Sequence, residues 1–288
     1  MFKNDIFGKT IAEDFNKQIW KKFNKAVKDY QLIEDGDRIA VCISGGKDSM
    51  LMAKCIQRLQ SFGKPDFRAE YIVMDPGYAP ANRLKIEDNA RLMDIPVSFY
   101  ETSIFESAES SGSNPCFLCA RLRRGFLYKK AQELGCNKIA LGHHFDDVIE
   151  TILMGMLYGS QMQTMLPKLH SENYEGAQLI RPLYLVREDD IISWAKLNSL
   201  SFIDCACRMT EKRSDDEHNS KRHEIKMLLR QLRSTNPAVD MNIFRSAENV
   251  NLRKLISYHD GNKKHHFLDD YDKGITVKGT VNKKYENK

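Results

Sequence analysis

Apolar residues recur every fourth position near the start of the chain. Ile11, Phe15, Ile19, Phe23 and Val27 form one stripe, which predicts an amphipathic helix over residues 8–30. Asp35-Gly36-Asp37 is a turn signal. Residues 38–43 then read as a short buried strand, residues 44–49 as a loop with two glycines, and residues 50–59 as a helix. Strand, glycine loop and helix open a βαβ unit. The alternation continues with strands at 67–74, 97–101 and 138–141 and helices at 81–93, 122–134 and 147–158. Residues 178–183 and Phe202-Ile203 look extended, and 188–198 helical. Such alternation predicts an α/β fold, a mostly parallel sheet flanked by helices on both faces.

Beyond about Asp215 the chain turns polar, with Ile225, Leu228, Leu229 and Leu232 forming one helical stripe. Four segments are therefore expected: an N-terminal helical segment (1–36), a nucleotide-binding and cysteine-bearing domain (37–212), a basic helical extension (213–273) and a lysine-rich mobile tail (274–288).

Composition narrows the class only a little. Of 288 residues, 42% are hydrophobic and 29% charged, as in ordinary globular proteins. No apolar run is long enough to span a bilayer, and the N-terminus lacks a signal-peptide pattern, so a cytoplasmic protein without membrane contact is expected. The net charge of +5 permits a polyanionic partner. Its distribution says more, because Arg121, Arg123 and Arg124 cluster, as do Lys212, Arg213, Lys221, Arg222 and Lys226. Seven cysteines, an odd number, argue against a disulfide framework. Cys42, Cys55 and Cys136 lie in apolar strand or helix patterns and read as buried filler.

The loop carries the first chemistry. Ser44-Gly45-Gly46-Lys47-Asp48-Ser49 joins a strand to a helix. Glycines let backbone curl around phosphate oxygens, and the helix aims free N–H groups at the same anion. The spacing is shorter than that of a Walker A loop. Ligands of parallel sheets bind beyond the carboxyl ends of strands. Asp75 ends one strand, suited to adenosine contacts. Gly142-His143-His144-Phe145-Asp146-Asp147 ends another, where Asp146 and Asp147 suit Mg²⁺ or cap the next helix, and His143 or His144 suits phosphate. The loop resembles the PP-loop of the ATP pyrophosphatase superfamily. That resemblance implies a Rossmann-like, adenine nucleotide alpha hydrolase-like fold. It also implies that Ser44, Gly45, Gly46, Lys47, Asp48 and Ser49 hold the pyrophosphate portion of ATP, with Asp48 serving either the loop or magnesium.

Cys116-Phe117-Leu118-Cys119 opens a helix, and Cys205-Ala206-Cys207 follows far downstream. Paired thiolates hold zinc or iron–sulfur clusters or act as a redox dithiol. The surroundings, Cys119-Ala120-Arg121-Leu122-Arg123-Arg124-Gly125, then Gly142 to Thr151, Met156-Leu157-Tyr158-Gly159, Leu166-Pro167-Lys168-Leu169 and Arg181-Pro182-Leu183, closely resemble the tRNA 2-thiocytidine synthetase family over residues 15–255. The resemblance implies an enzyme using ATP, Mg²⁺ and a [4Fe–4S] cluster. It would adenylate the C2 oxygen of an anticodon-loop cytidine, position 32, and replace that oxygen with sulfur. Catalysis would fall to Lys47, Asp48, Asp146 and Asp147, and nucleotide binding also to Asp75, Gly142 and His143. Cluster ligands would be Cys116, Cys119 and Cys207, with Cys205 as the fallback, because this chain has Cys-x-Cys where the family shows Cys-x-x-Cys.

With RNA as substrate, Arg121, Arg123 and Arg124 are expected on the phosphate backbone rather than on a merely solvated face. The basic stretch 212–233 is a second candidate for tRNA. The sulfur donor would be a cysteine desulfurase persulfide or sulfide, and a homodimer is left open. Alternatives are a 2-thiouridine synthetase, though no cysteine precedes Cys42, a lysidine synthetase, which lacks the cysteine pairs, and a non-enzymatic RNA-binding iron–sulfur module.

Overall fold

The computed structural model describes residues 5–109, 115–171, 174–203, 221–269 and 271, with only the backbone for 108, 109 and 115–117. Six strands form the sheet: β1 (Arg38–Ile43), β2 (Arg68–Asp75), β3 (Val97–Glu101), β4 (Lys138–Ala140), β5 (Lys168–His170) and β6 (Gln178–Ile180). Their order is β3-β2-β1-β4-β6-β5, and only β5 runs antiparallel, at the edge. The α/β expectation of a mostly parallel, helix-flanked sheet is therefore what the chain adopts.

β1 shows why both faces are covered. Ile39, Val41 and Ile43 join the larger hydrophobic cluster, while Ala40 and Cys42 join a second one with Ile72, Ala131 and Ile139. Alternate side chains point to opposite faces of a strand. The larger cluster takes in Met50, Leu51 and Ile56 of helix α3 (Lys47–Ser61), Ile86 of α4 (Pro80–Leu92) and Ile149 of α7 (Phe145–Gly159). It also takes in Trp194 of α8 (Glu188–Leu197). The opposite cluster is closed by α6 (Pro115–Glu133), and a short α5 (Ile104–Glu109) precedes it.

The N-terminal stripe folds differently from the single helix expected. It forms α1 (Ile6–Ala12), a wide π-type turn (Asn16–Trp20) and α2 (Lys21–Asp29). A strict spacing of four overshoots the 3.6-residue turn by about 40° per step. The wide turn, in which the Trp20 N–H bonds the Phe15 carbonyl, takes up that drift. Ile11, Ile19, Phe23 and Val27 consequently all reach the main core.

The C-terminal region also departs in part. Helix α9 (Lys221–Thr235) forms where the stripe predicts, α10 (Val239–Glu248) follows it, and the two bury Ile225, Leu229 and Phe244 in the main core. The segment after them is a two-stranded ribbon, β7 (Ser257–Asp260) and β8 (Lys263–His266), rather than more helix. Gly261, with φ +58°, makes the reversal that helix propensity alone did not reveal. Residues 274–288 lie outside the described residues, as do Lys212 and Arg213. No described helix is long and apolar enough to cross a membrane.

Candidate active site

The loop between β1 and α3 sits at the carboxyl edge of the sheet. Gly46 is the N-cap of α3 and no side chain caps it, so the first N–H groups of the helix point outward. The loop is braced from within: the Ser44 N–H donates to Ser49 Oγ at 3.1 Å, and the Ser49 hydroxyl donates to the Gly46 carbonyl at 2.9 Å. Gly45 has φ +85°, and a Cβ there would meet Ile86 Cγ1 at 2.5 Å and Ile203 Cδ1 at 2.7 Å. Its glycine is required by packing behind the loop as well as by conformation. Gly142 has a similar role, since a Cβ would stand 2.9 Å from the Ser49 amide nitrogen. This glycine lets the end of β4 approach the backbone of α3.

A cavity of about 260 Å³ opens over this loop, lined by Ser44, Asp48, Ser49, His143, Asp147 and Arg123 among others. Lys47 Nζ lies beside it, 3.2 Å from Asp48 Oδ2 and 3.0 Å from Glu188 Oε1. Burial pushes the lysine's pKa down, but Asp48 and Glu188 outweigh it and hold Lys47 above its usual value. Burial raises Glu188 in turn, yet Lys47, His144 and Lys226 bring it down to about 2. Both groups are therefore charged at neutral pH. Asp48 is raised by burial against the pull of His144 and Lys47, and its Oδ1 has no hydrogen-bond partner among the described residues.

His144 caps α7. The Asp147 N–H donates to His144 Nδ1 at 3.4 Å, and the His144 N–H donates to Asp147 Oδ2 at 3.0 Å. Its Nε2 stands 3.8 Å from Asp48 Oδ1 and 3.6 Å from Asp147 Oδ2. These two carboxylates thus approach one another around His144 and both line the cavity. His143 lines it too, with Nδ1 unpartnered among the described residues. Of the two histidines, His143 is the one at the cavity. Burial lowers its pKa from 6.5 to about 4, so it is neutral near pH 7 and can donate a hydrogen bond without adding charge. In the unfolded chain it protonates near pH 6.5. The stability it supports is full above that pH and declines as the pH falls toward 4. His143→Gln is expected to flatten the fall in urea midpoint across this window, and an unchanged pH slope would contradict the assignment.

Asp146 does not pair with Asp147 as expected. Its Oδ2 accepts the Glu188 N–H at 2.8 Å and its Oδ1 receives Arg233 Nη2 at 2.7 Å, with Arg187 Nε 3.5 Å away. Asp240 completes the cluster with Arg187 and Arg233. Successive residues of a helix point about 100° apart, so Asp146 turns to α8 and α9 while Asp147 faces the cavity. Asp146 is engaged here as a clamp joining α7 to α8 and α9. Asp146→Ala is expected to lower stability by about 1–2 kcal/mol, because the Glu188 N–H and Arg233 lose a buried acceptor while Arg233 keeps Asp240. A denaturant midpoint equal to that of the parent would contradict it.

Asp75 likewise turns inward. The N–H groups of Gly77 and Tyr78 donate to its Oδ1 at 2.9 and 2.8 Å, and Arg83 holds Oδ2 at 2.9 Å. It shapes the turn after β2, while its neighbour Met74 lines the cavity.

Arg121 and Arg124 are exposed, whereas Arg123 is half-buried at the cavity. The arginine cluster therefore divides between surface and site. Cys119 is buried against Met74 and Leu127, both of which also line the cavity. Cys116 opens the same helix, and its side chain lies outside the described residues. Cys205 and Cys207 lie outside them too. Ile203, the last described residue before them, packs on Gly45. The thiols of Cys42 and Cys136 are pushed up by burial to about 12 and about 11, as apolar filler should be.

The inward side of the basic stretch was not anticipated. Arg222 Nε meets Glu150 at 3.1 Å, and Lys226 Nζ meets Glu188 at 3.3 Å. Arg222 Nη2 is also 3.5 Å from Asp147 Oδ1. These cations face the acids of α7 and α8, not solvent alone.

The sequence matches the model of the PP-loop domain over residues 15–229. A tRNA-cytidine(32) 2-sulfurtransferase of Vibrio vulnificus (strain YJ016) is 37% identical over 254 residues, covering 85% of this chain and 79% of the relative. One of Geobacter sulfurreducens is 35% identical, covering 83% of this chain and 92% of the relative. The chain belongs to the tRNA-cytidine 2-sulfurtransferase family of PP-loop proteins. Among solved structures, the U34-tRNA thiolase NcsA from Methanococcus maripaludis, with its [4Fe-4S] cluster, shares the fold. Its TM-score is 0.60 at 21% identity, over 79% of this chain and 76% of that one. Within this PP-loop family frame, the loop 44–49, Gly142, His143, Asp147 and Arg123 converge on one cavity, and Asp146 and Asp75 support it from behind.

Proposed function

We propose that the chain is an ATP-dependent tRNA sulfurtransferase that converts the anticodon-loop cytidine at position 32 to 2-thiocytidine. One observation carries this most directly. Helix α6 bears the cysteine pair in its first two turns and lays Arg123 and Leu127 into the cavity of the PP-loop. Nucleotide activation and cysteine chemistry therefore share one space.

The C2 oxygen of cytosine is a poor leaving group. Its attack on the α-phosphorus of ATP forms an O–P bond and expels pyrophosphate, and sulfur addition at C2 then expels AMP. Lys47, Arg123 and the free N–H groups of α3 stabilise charge on the departing pyrophosphate. His143 donates a hydrogen bond to a phosphate oxygen. Asp48 and Asp147 are the carboxylates that suit Mg²⁺, and the unpartnered Asp48 Oδ1 fits a cation ligand. Cys116, Cys119 and Cys207, or Cys205 in its place, would hold a [4Fe–4S] cluster. The buried, cavity-adjacent setting of Cys119 fits such a group. Held by three cysteines, such a cluster would leave one iron free to carry the incoming sulfur. The sulfur comes from a cysteine desulfurase persulfide or from sulfide, and the tRNA substrate makes the cytoplasm the place of work.

Pyrophosphate release is expected only when tRNA is present with ATP and Mg²⁺. Equal release without tRNA, or with a tRNA carrying uridine at position 32, would overturn the proposal.

A further inference from the structure

The terminal ribbon stands apart from the site just described. Among the described residues its two strands pair only with each other, and the PP-loop domain match ends at residue 229, well before it. A lone two-stranded ribbon is marginal in water without something to pack against. This one leaves Ile256 75% exposed, Tyr271 71% and Phe267 47%. A partner is the physical expectation for such a surface.

The chemistry of the surface selects the partner. A cavity of about 530 Å³, the larger of the two that we describe, is lined by Arg253, Tyr258, His265, His266, Phe267 and Tyr271. Tyr258 and His265 already stack, with centroids 4.8 Å apart and planes 8° from parallel. They form a flat, partly exposed platform. His266 and Phe267 lie 4.9 Å apart beside it, and Phe267 meets Tyr271 edge-on at 6.1 Å. Arg253, Lys254, Lys263 and Lys264 are exposed around these rings. Asp260 and Asp269 are the acids among the described residues of this stretch, with Asp270 and Asp272 next to Tyr271 in sequence, and Asp269 accepts the His266 N–H at 2.8 Å. Aromatic faces flanked by cations suit unpaired bases and their phosphates. A second copy of the chain would bring the same positive charge against itself.

Building on the tRNA-modifying function above, we propose that this ribbon and the turn after it bind single-stranded RNA, with the tRNA substrate as occupant. Bases stack on the Tyr258–His265 platform and on Phe267, while Lys263, Lys264, Arg253 and Lys254 meet phosphates. The ribbon would hold the tRNA away from the reacting cytidine and leave ATP binding untouched.

The test uses the full chain with Lys263→Glu/Lys264→Glu and, separately, Tyr258→Ala/Phe267→Ala. The probes are tRNA and a single-stranded RNA of about twelve nucleotides. Each variant is expected to weaken both probes about tenfold or more, with the Kd for ATP unchanged. The lysine variant should also flatten the salt dependence, by a slope of about one per lost phosphate contact. The lysine side chains are exposed, so this variant tests the surface even if the aromatic one disturbs the ribbon. RNA affinities within twofold of the parent in the lysine variant overturn the proposal. So does a change of oligomeric state with RNA binding intact, which would make the surface an interface between copies. Thiolation by the parent, measured separately, tells failure of this inference from failure of the proposed reaction.

Discussion

Lys47→Met is expected to lower kcat/KM for tRNA-dependent pyrophosphate release by a factor of about 10² to 10³. Lys47 is the cation of the loop, and the partly buried carboxylates of Asp48 and Glu188 keep it charged in the free protein. In the proposed reaction the same ammonium would face the charge that develops on the leaving pyrophosphate. A preorganised cation needs no rearrangement at that moment. Removing it also leaves Asp48 and Glu188 without their shared counter-ion, so nucleotide affinity should fall along with the rate. Glu188→Ala should show a milder form of the effect, because Asp48 still holds Lys47. Rapid-quench measurement of pyrophosphate checks the prediction. A Lys47→Met protein within fivefold of the parent rate would remove Lys47 from the chemistry.

The second large effect concerns the cysteines. Cys119→Ala is expected to abolish thiolation and to reduce iron and acid-labile sulfide to near background, while ATP still binds. Cys119 packs beside Met74 and Leu127 at the wall of the cavity, so its loss strikes the sulfur side of the site and spares the phosphate loop. The parent, purified without oxygen, should carry about four irons and four sulfides per chain. Cys207→Ala should behave as Cys119→Ala, and Cys205→Ala as the parent. The opposite pattern moves the third ligand to Cys205. Stoichiometric zinc without iron would remove the cluster from the account.

Much of this was legible in the sequence, for reasons that are local. β1, the loop and α3 are marked by an apolar run, two glycines and a helical pattern, all within residues 38–61. Each feature depends on neighbours in the chain. The difference between Asp146 and Asp147 does not. It rests on Arg187 and Arg233, which arrive from α8 and α9 and claim one carboxylate while leaving the other at the cavity. Nothing near position 146 encodes that choice. The inward role of Asp75 depends in the same way on Arg83.

Two features carried a signal that composition hid. Cys119, Arg123 and Leu127 recur at intervals of four, so they share one face of α6, while Arg121 and Arg124 share another. Counting the arginines as a cluster merged two faces that the helical period separates. The ribbon at 257–266 has Gly261-Asn262 between its strands, a two-residue hairpin signal. Its strands lack the alternation of apolar and polar residues that normally marks a sheet, because neither face packs on a core. Glu188 was missed for a different cause. An acidic first turn is what any helix prefers, and only the approach of Lys47 and Lys226 makes this one part of the site.

The central claim is that one cavity joins ATP activation to sulfur transfer on cytidine. It is tested most directly by incubating the anaerobically purified protein with unmodified tRNA, ATP, Mg²⁺ and sulfide, then digesting the tRNA for mass spectrometry of its nucleosides. The account predicts 2-thiocytidine, formed in proportion to AMP and absent when ATP is omitted. Thiouridine or lysidine in its place, or AMP released with no thionucleoside at all, would contradict it.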